Sequence, residues 1–206
     1  MQKIGFNKHY GLQDAVVKYK TKTMTRRIEN CLDVLYNAEE RLGEPLVINE
    51  QKVVNEYLVL TKTNAHILYL KPRYKLGEQV AVAQAYNEII NELPDRIKEY
   101  VIGYYADSKA WNNKLYVRPD LMPHLIEITG IRVERLQDIS DEDIMKEGIT
   151  YIAGGGYGVR FGGNYNVFAL NPLVAFAALI DCRGIGGPGT WKRNPWVVVY
   201  TFKLIK

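Results

Sequence analysis

Short segments of this chain alternate between apolar and polar residues, which is the pattern of half-buried β-strands. The predicted strands cover residues 21–27, 56–74 (a hairpin with its turn near Thr63-Asn64), 74–86, 124–136 and 196–205. The last of these, "WVVVYTFKLI", is apolar almost throughout and is predicted to be fully buried. We expect a kink at Gly130, because a glycine inside a strand weakens it and marks a bend or bulge.

Apolar residues at helical spacing predict helices between these strands. The predicted helices cover residues 10–19, 31–44, 138–148 and 172–184. Residues 93–107 are predicted to begin as a helix and to continue as a strand from residue 101, and the glycine-rich stretch 153–166 is predicted to be a mobile loop. Strands outnumber helices and are separated by long connections, which favours an α+β barrel over alternating βαβ units.

Composition indicates one globular domain without a metal centre. The chain has 206 residues, of which 47% are hydrophobic, enough for one substantial core. Its two cysteines lack CxxC spacing and its three histidines are scattered, so neither a metal nor another cofactor is expected. The longest apolar run, 172–180, is far too short to span a bilayer. We therefore expect a cytoplasmic protein with no membrane partner.

The charge distribution is more informative than the net charge of +4, which leans only mildly toward an anionic partner. Residues 18–27 contain five cations and no acid, whereas residues 134–147 contain six acids and two cations. Two segments of opposite sign either face each other or mark two separate surfaces. The sequence leaves both arrangements open.

The basic segment contains the stretch "KTKTMTRRI" (20–28), in which threonines alternate with cations. In a regular strand, Thr25 and Arg27 point to one face, while Lys22 and Arg26 point to the other. Hydroxyl donors beside cations suit the recognition of a phosphate or another oxyanion. An exposed edge strand protected by charge has the same composition, so the two interpretations stand side by side.

Four segments, taken in order, resemble one known family. They are "KTMTRR", "YKLGEQVAVAQAY", "LIEITGIRVERLQDISDEDIMKEGI" and "FAALID…TWKRNPWVVVYTF". They resemble the ASCH family, small β-barrels related to the PUA RNA-binding fold, in the version often encoded by phages and prophages. The resemblance implies a PUA-like β-barrel with peripheral helices. It also implies one domain over residues 1–206, with insertions near 31–55, 87–100 and 151–168.

The same resemblance implies two functions. ASCH proteins are generally thought to bind RNA or nucleotides in a cleft of the barrel, so RNA or a modified nucleoside is the expected partner. Some small bacterial members are amidohydrolases that remove acetate from N4-acetylcytidine, using the lysine and threonine of a K-T-x-T-x-R box and a distant glutamate. Lys22 and Thr25 match the box, and Glu147 matches the glutamate by its offset from "LQDIS". Whether the protein is an enzyme stays open.

In the hydrolase, Thr25 attacks or positions water, Lys22 acts as base, and Glu147 carries the proton or orients the lysine. A geometric objection remains, because Lys22 and Thr25 point to opposite faces of a regular strand and converge only across a bulge or turn. Lys18, Lys20, Arg26 and Arg73, if they form an open basic stripe, would instead favour RNA binding. The residues expected to bind the nucleotide or nucleic acid are Thr23, Arg26, Arg27, Arg73, Gln84 and Tyr86.

Overall fold

The computed structural model describes residues 1–62, 67–161, 164–182 and 186–206, so the turn predicted near Thr63-Asn64 lies outside the described residues. Its main sheet has five strands in the order β1-β6-β7-β11-β2. These strands are β1 (Gln2–Ile4), β6 (Gln79–Val82), β7 (Leu125–Arg135), β11 (Trp196–Leu204) and β2 (Met24–Arg27). β1 runs parallel to β6, and the other neighbours are antiparallel.

The two long strands, β7 and β11, form the centre of this sheet. β11 is buried over most of its length, which confirms the prediction made from its apolar sequence. The β7–β11 register shifts by one residue between Thr201 and Phe202, which pair with Gly130 and Ile128. This irregularity lies at the predicted Gly130 kink, where the missing side chain leaves room for Thr201 to pack.

Two three-stranded antiparallel sheets flank the main sheet. One consists of β3 (Ile48–Val54), β4 (Tyr57–Lys62) and β5 (Ile67–Leu70), and the other of β8 (Thr150–Tyr151), β9 (Tyr157–Phe161) and β10 (Asn164–Ala169). The Gln51 side chain on β3 donates to the carbonyl of Val133 and accepts from its N–H, both at 2.8 Å. One amide side chain thus satisfies the free edge of β7 as a neighbouring strand would.

Eight α-helices pack around the sheets in the described part of the chain. They are α1 (Leu12–Val17), α2 (Asp33–Leu42), α3 (Tyr86–Ile89), α4 (Asp95–Tyr105), α5 (Lys109–Asn112), α6 (Asp141–Lys146), α7 (Pro172–Ile180) and α8 (Thr190–Arg193). A large core joins the main sheet to residues such as Val16 of α1 and Phe176 of α7. A smaller core lies under α3 and α4, around Tyr86 and Val101. Within the described residues, no helix has the length and apolarity needed to cross a membrane.

The predicted PUA-like β-barrel is wrong, although the α+β class is confirmed. Among the described residues no sheet closes on itself, because β1 and β2 are the two edges of the main sheet and have no backbone pairing with each other. Both edge strands are short, and a side chain spans the gap instead. Arg27 Nη2 on β2 donates to the carbonyl oxygen of Gly5, just after β1, at 2.7 Å.

Two local predictions also need correction. The stretch 153–166 is not a loop throughout, because Gly154–Gly156 make a tight turn at positive φ and the strands β9 and β10 follow it. Residues 101–105 are helical and not a strand, since α4 continues to Tyr105. Ile97, Val101 and Tyr105 recur at every fourth position and pack against the smaller core.

Replacing Ile126 with alanine tests the centre of the main sheet. Ile126 on β7 is fully buried, so Ile126→Ala should lower the free energy of unfolding by about 2–5 kcal/mol. The matched control is Ile67→Ala on β5, where the side chain is 51% exposed and a change within about 0.5 kcal/mol is expected. Urea unfolding followed by circular dichroism measures both, and equal losses would contradict the described packing.

Candidate functional site

A cavity of about 280 Å³ lies beside β2, where the two edges of the main sheet approach each other. Its walls combine apolar side chains with a few polar and cationic groups. The lining residues are Gly5, Phe6, Asn7, Leu12, Thr25, Arg26, Arg27, Ile28, Leu136, Ile180, Gly186, Thr190 and Val197. This mixture is typical of sites that bind small molecules.

The basic stretch 20–28 contributes four of these residues and is a strand only from Met24 to Arg27. Before it, Lys20 adopts a left-handed conformation with φ of 56°. Lys22 then forms an isolated backbone bridge with Glu147, and the N–H of Thr23 donates to the carbonyl of Lys146 at 2.9 Å. The backbone therefore turns between Lys20 and Thr23, and the predicted strand over 21–27 is shorter than expected.

Lys22 and Glu147 form a buried ion pair, with residue exposures of 3% and 5%. Lys22 Nζ contacts the Oε2 carboxylate oxygen of Glu147 and also donates to the Glu147 carbonyl oxygen at 2.9 Å. Burial lowers the pKa of Lys22, although the Glu147 charge and hydrogen bond act in the opposite direction. The structure thus brings together the lysine and glutamate that the ASCH resemblance singled out.

Arg26 occupies the centre of a larger ionic cluster. Its Nη1 donates to Glu147 Oε1 at 3.0 Å, and its Nε donates to Glu134 Oε1 at 2.8 Å. Its Nη2 lies 3.4 Å from Asp143 Oδ2. Arg132 binds Glu134 and Asp143 from the other side. We call Lys22, Arg26, Arg132, Glu134, Asp143 and Glu147 the ion-pair network. Its three cations contact its three acids. The two oppositely charged segments of the sequence, 18–27 and 134–147, therefore face each other.

Strand register explains how this network forms. Val199 of β11 pairs with Arg26 on one side and with Arg132 on the other, so the two arginines lie on one face of the sheet. Glu134 is two residues beyond Arg132 and shares that face. The Ser140 side chain caps α6 by accepting the N–H of Asp143, which presents Asp143 to the arginines.

Arg27 is bound quite differently from its neighbour. Its Nη2 bond to Gly5 is accompanied by a contact with the Phe6 ring, whose centroid lies 5.7 Å from the guanidinium carbon. Its Nε is fully buried and has no hydrogen-bond partner within the described part of the chain. Burial lowers the pKa of Arg27. The alternation of β2 accounts for the difference, because Arg26 and Arg27 point to opposite faces.

Thr25, Arg26 and Arg27 line the cavity, but the predicted ligand-binding residues Thr23, Arg73, Gln84 and Tyr86 are not among its described lining residues. Thr23 is partly buried, and Arg73 is exposed beside Glu29, whose carboxylate accepts the Arg73 backbone N–H at 2.9 Å. Gln84 is buried, with its N–H directed to the sulfur of Met122. Tyr86 is fully buried in the smaller core, where its hydroxyl accepts the N–H of Arg118.

Lys22 and Glu147 are likewise absent from the described lining, and Arg26 lies between their ion pair and the cavity.

Sequence reasoning missed several lining residues. Phe6 and Asn7 follow a strand of only three residues, and no local pattern marks them. Thr190 begins the short helix α8 and is 1% exposed. The glycines around it are the only signal, since a Cβ at Gly186 would lie 2.8 Å from the carbonyl oxygen of Ile180.

No protein-family model matches the chain, and no curated protein and no solved structure is detectably similar to it. The resemblance to the ASCH family therefore rests on the four sequence segments alone. Within the described residues, no group of three histidine, cysteine, aspartate or glutamate side chains is arranged to hold a metal ion.

Removing the central arginine tests the ion-pair network. Arg26→Met leaves buried carboxylates without their partner, so we expect the free energy of unfolding to fall by about 3–5 kcal/mol. Arg132→Met is the matched control, because this side chain is 34% exposed and water can replace its contacts. A loss of about 1 kcal/mol is expected there. Urea unfolding at neutral pH measures both variants, and equal losses would contradict the central position of Arg26.

Proposed function

We propose that this chain is an ASCH-type nucleotide-binding protein whose cavity beside β2 binds a modified nucleoside or a nucleotide, free or within RNA. The observation that carries the proposal is the meeting of Thr25, Arg26 and Arg27 in one cavity with apolar walls. The resemblance of the "KTMTRR" segment to the ASCH box supports it independently. A base and its sugar need this combination of a flat apolar surface and a few directed polar groups.

The walls suit a nucleobase in particular. Phe6 offers an aromatic ring, and Leu12 and Ile180 are apolar neighbours in the lining. Stacking on an aromatic ring tolerates any base, so specificity must come from the polar groups. Thr25 and Asn7 offer hydrogen bonds to the edge of a base or to a ribose hydroxyl. The volume of about 280 Å³ limits the enclosed part of the ligand to roughly one nucleoside.

The distribution of cations supports binding in the cavity more than a broad track for an RNA backbone. Lys18, Lys20 and Arg73 are exposed. Arg26, the fourth member of the expected stripe, has a side chain only 1% exposed, and carboxylates surround it. An open basic stripe through Arg26 is therefore not part of the proposal, and any RNA would enter with a single nucleotide.

A valine substitution at Thr25 tests the site. Thr25→Val keeps the shape and removes the hydroxyl, so affinity for a nucleoside that it contacts should fall about tenfold, the worth of one hydrogen bond. Thr23→Val is the matched control, because Thr23 belongs to the same segment but not to the described cavity lining. Calorimetric titration with N4-acetylcytidine and cytidine measures the effect. Failure of the wild type to bind either nucleoside, or equal losses in both variants, would refute the proposal.

A second candidate function, hydrolysis of an acylated nucleoside such as N4-acetylcytidine, is favoured by the buried Lys22–Glu147 pair. A water molecule would attack the acetyl carbonyl, or Thr25 would attack it and a water molecule would then hydrolyse the acetyl-Thr25 ester. In both cases the C–N bond would break, and a proton from Lys22 or Glu147 would pass to the leaving amine. Acetate and cytidine are the products. Catalysis stands second because Arg26 separates the ion pair from the cavity, so the pair must gain access to the substrate.

Turnover and its pH dependence test the hydrolase. The wild type should convert N4-acetylcytidine to cytidine, and the rate should rise with pH as Lys22 loses its proton. Because burial lowers the pKa of Lys22, this rise should be complete below the pH at which an ordinary lysine titrates. Chromatography of the products measures the rate. Lys22→Met should abolish turnover and the exposed control Lys20→Met should not; absence of cytidine with the wild type would exclude the reaction.

A further inference from the structure

Arg27 is a half-buried cation with a fully buried Nε, and no carboxylate contacts it among the described residues. Its adjacent counterpart, Arg26, contacts three acidic side chains, whereas the described contacts of Arg27 are one carbonyl oxygen and one aromatic ring. Taking a charge even partly out of water without a charged partner costs free energy, so folding alone does not explain an arginine in this position. The side chain faces the cavity.

The nearest acids are already engaged by other groups. Glu147 and Glu29 favour the charged form of Arg27, but each acts from a distance. The two carboxylate oxygens of Glu147 contact Arg26 and Lys22. Those of Glu29 accept the Tyr200 hydroxyl at 2.9 Å and the Arg73 backbone N–H at 2.9 Å. Both carboxylates are thus held by other donors, and neither makes a described contact with Arg27.

A second cation strengthens the positive field at this end of the cavity. Lys114 donates through Nζ to the carbonyl of Phe6, next to the carbonyl that Arg27 binds. Burial lowers the pKa of Lys114, and the charges of Arg27 and Lys8 lower it further, while Glu88 acts against them. Lys8 and Glu88 form an ion pair of their own at 2.9 Å. The excess positive charge therefore lies around the Gly5–Phe6 backbone.

We propose that Arg27 binds an oxyanion carried by the ligand, and that this group is the phosphate of a nucleotide. The inference rests on the proposed function and makes it more specific, since a neutral nucleoside would leave the charge of Arg27 uncompensated. The Arg27 guanidinium lines the cavity and supplies charged N–H donors beyond the one that binds Gly5. Thr25, two residues earlier on the same face of β2, supplies a hydroxyl, and charge-assisted bonds of this kind are the strong ones.

The first experiment compares cytidine with cytidine 5′-monophosphate by calorimetric titration. The wild type should bind the monophosphate at least about tenfold more tightly, as one charge-assisted contact provides. Arg27→Met should lose this preference, so that the two ligands bind it with equal affinity. Arg73→Met is the matched control, because its guanidinium also lies beside a ring, 5.5 Å from the Tyr74 centroid, but is exposed. A wild type that binds both ligands equally retains the proposed function and overturns the oxyanion inference.

The second experiment needs no nucleoside and therefore tests the inference even when the proposed function fails. Inorganic phosphate should raise the melting temperature of the wild type above that in chloride of equal ionic strength, and Arg27→Met should abolish this rise. Without any anion, Arg27→Met should melt at or above the wild-type temperature, because it removes an uncompensated charge. Arg27→Lys, which keeps the charge, should retain part of the phosphate effect. A wild type insensitive to phosphate, or an Arg27→Met variant that is markedly destabilised, overturns the inference.

Discussion

The burial of the Arg26 guanidinium is the constraint on which the rest of this site depends. A side chain only 1% exposed keeps its charge because carboxylates from β7 and α6 surround it. This requirement fixes α6 against β2 and turns Glu134 toward the same face of the sheet. Once Arg26 points to that face, the alternation of a strand sends Arg27 to the opposite one. The orientation of Arg27 thus follows from the ion pairs that Arg26 forms.

The open gap between β1 and β2 is the second determinant of the site. A backbone ladder between these edges would occupy the space in which the cavity lies. Its hydrogen bonds would also take the place of the bond from Arg27 to Gly5. Short edge strands avoid that pairing, since three residues in β1 and four in β2 offer few ladder bonds. The sheet curls without closing, and a single arginine connects its edges. The same side chain is consequently both a structural link and a lining residue.

Much of this arrangement was predictable from local sequence, and the remainder depends on contacts distant in the chain. The alternation of β7 and the apolar run of β11 are local signals that the structure bears out. Strand closure is not local, so nothing in the sequence shows that β1 and β2 stay unpaired. The opposite charges of 18–27 and 134–147 left open whether these segments face each other, and only the structure shows the register through Val199 that brings them together. Gln84 and Tyr86 were predicted as ligand contacts because they follow a strand. In the structure Tyr86 packs in the smaller core and Gln84 lies beside it, and this packing depends on residues distant in the chain.

The two adjacent arginines differ in role: Arg26 belongs to the ion-pair network of the fold, whereas Arg27 is the one proposed to bind a ligand. Arg26 is matched by acids within the chain, so its charge is accounted for before any ligand arrives. Among the described residues no carboxylate contacts Arg27, so the proposed ligand is what would compensate its charge. Lys22 belongs with Arg26, because both bind Glu147. To act in catalysis, Lys22 would have to leave its contacts in the ion-pair network, whereas Arg27 is not a member of that network. Binding at Arg27 requires no change in the fold, whereas catalysis at Lys22 requires the ion-pair network to open.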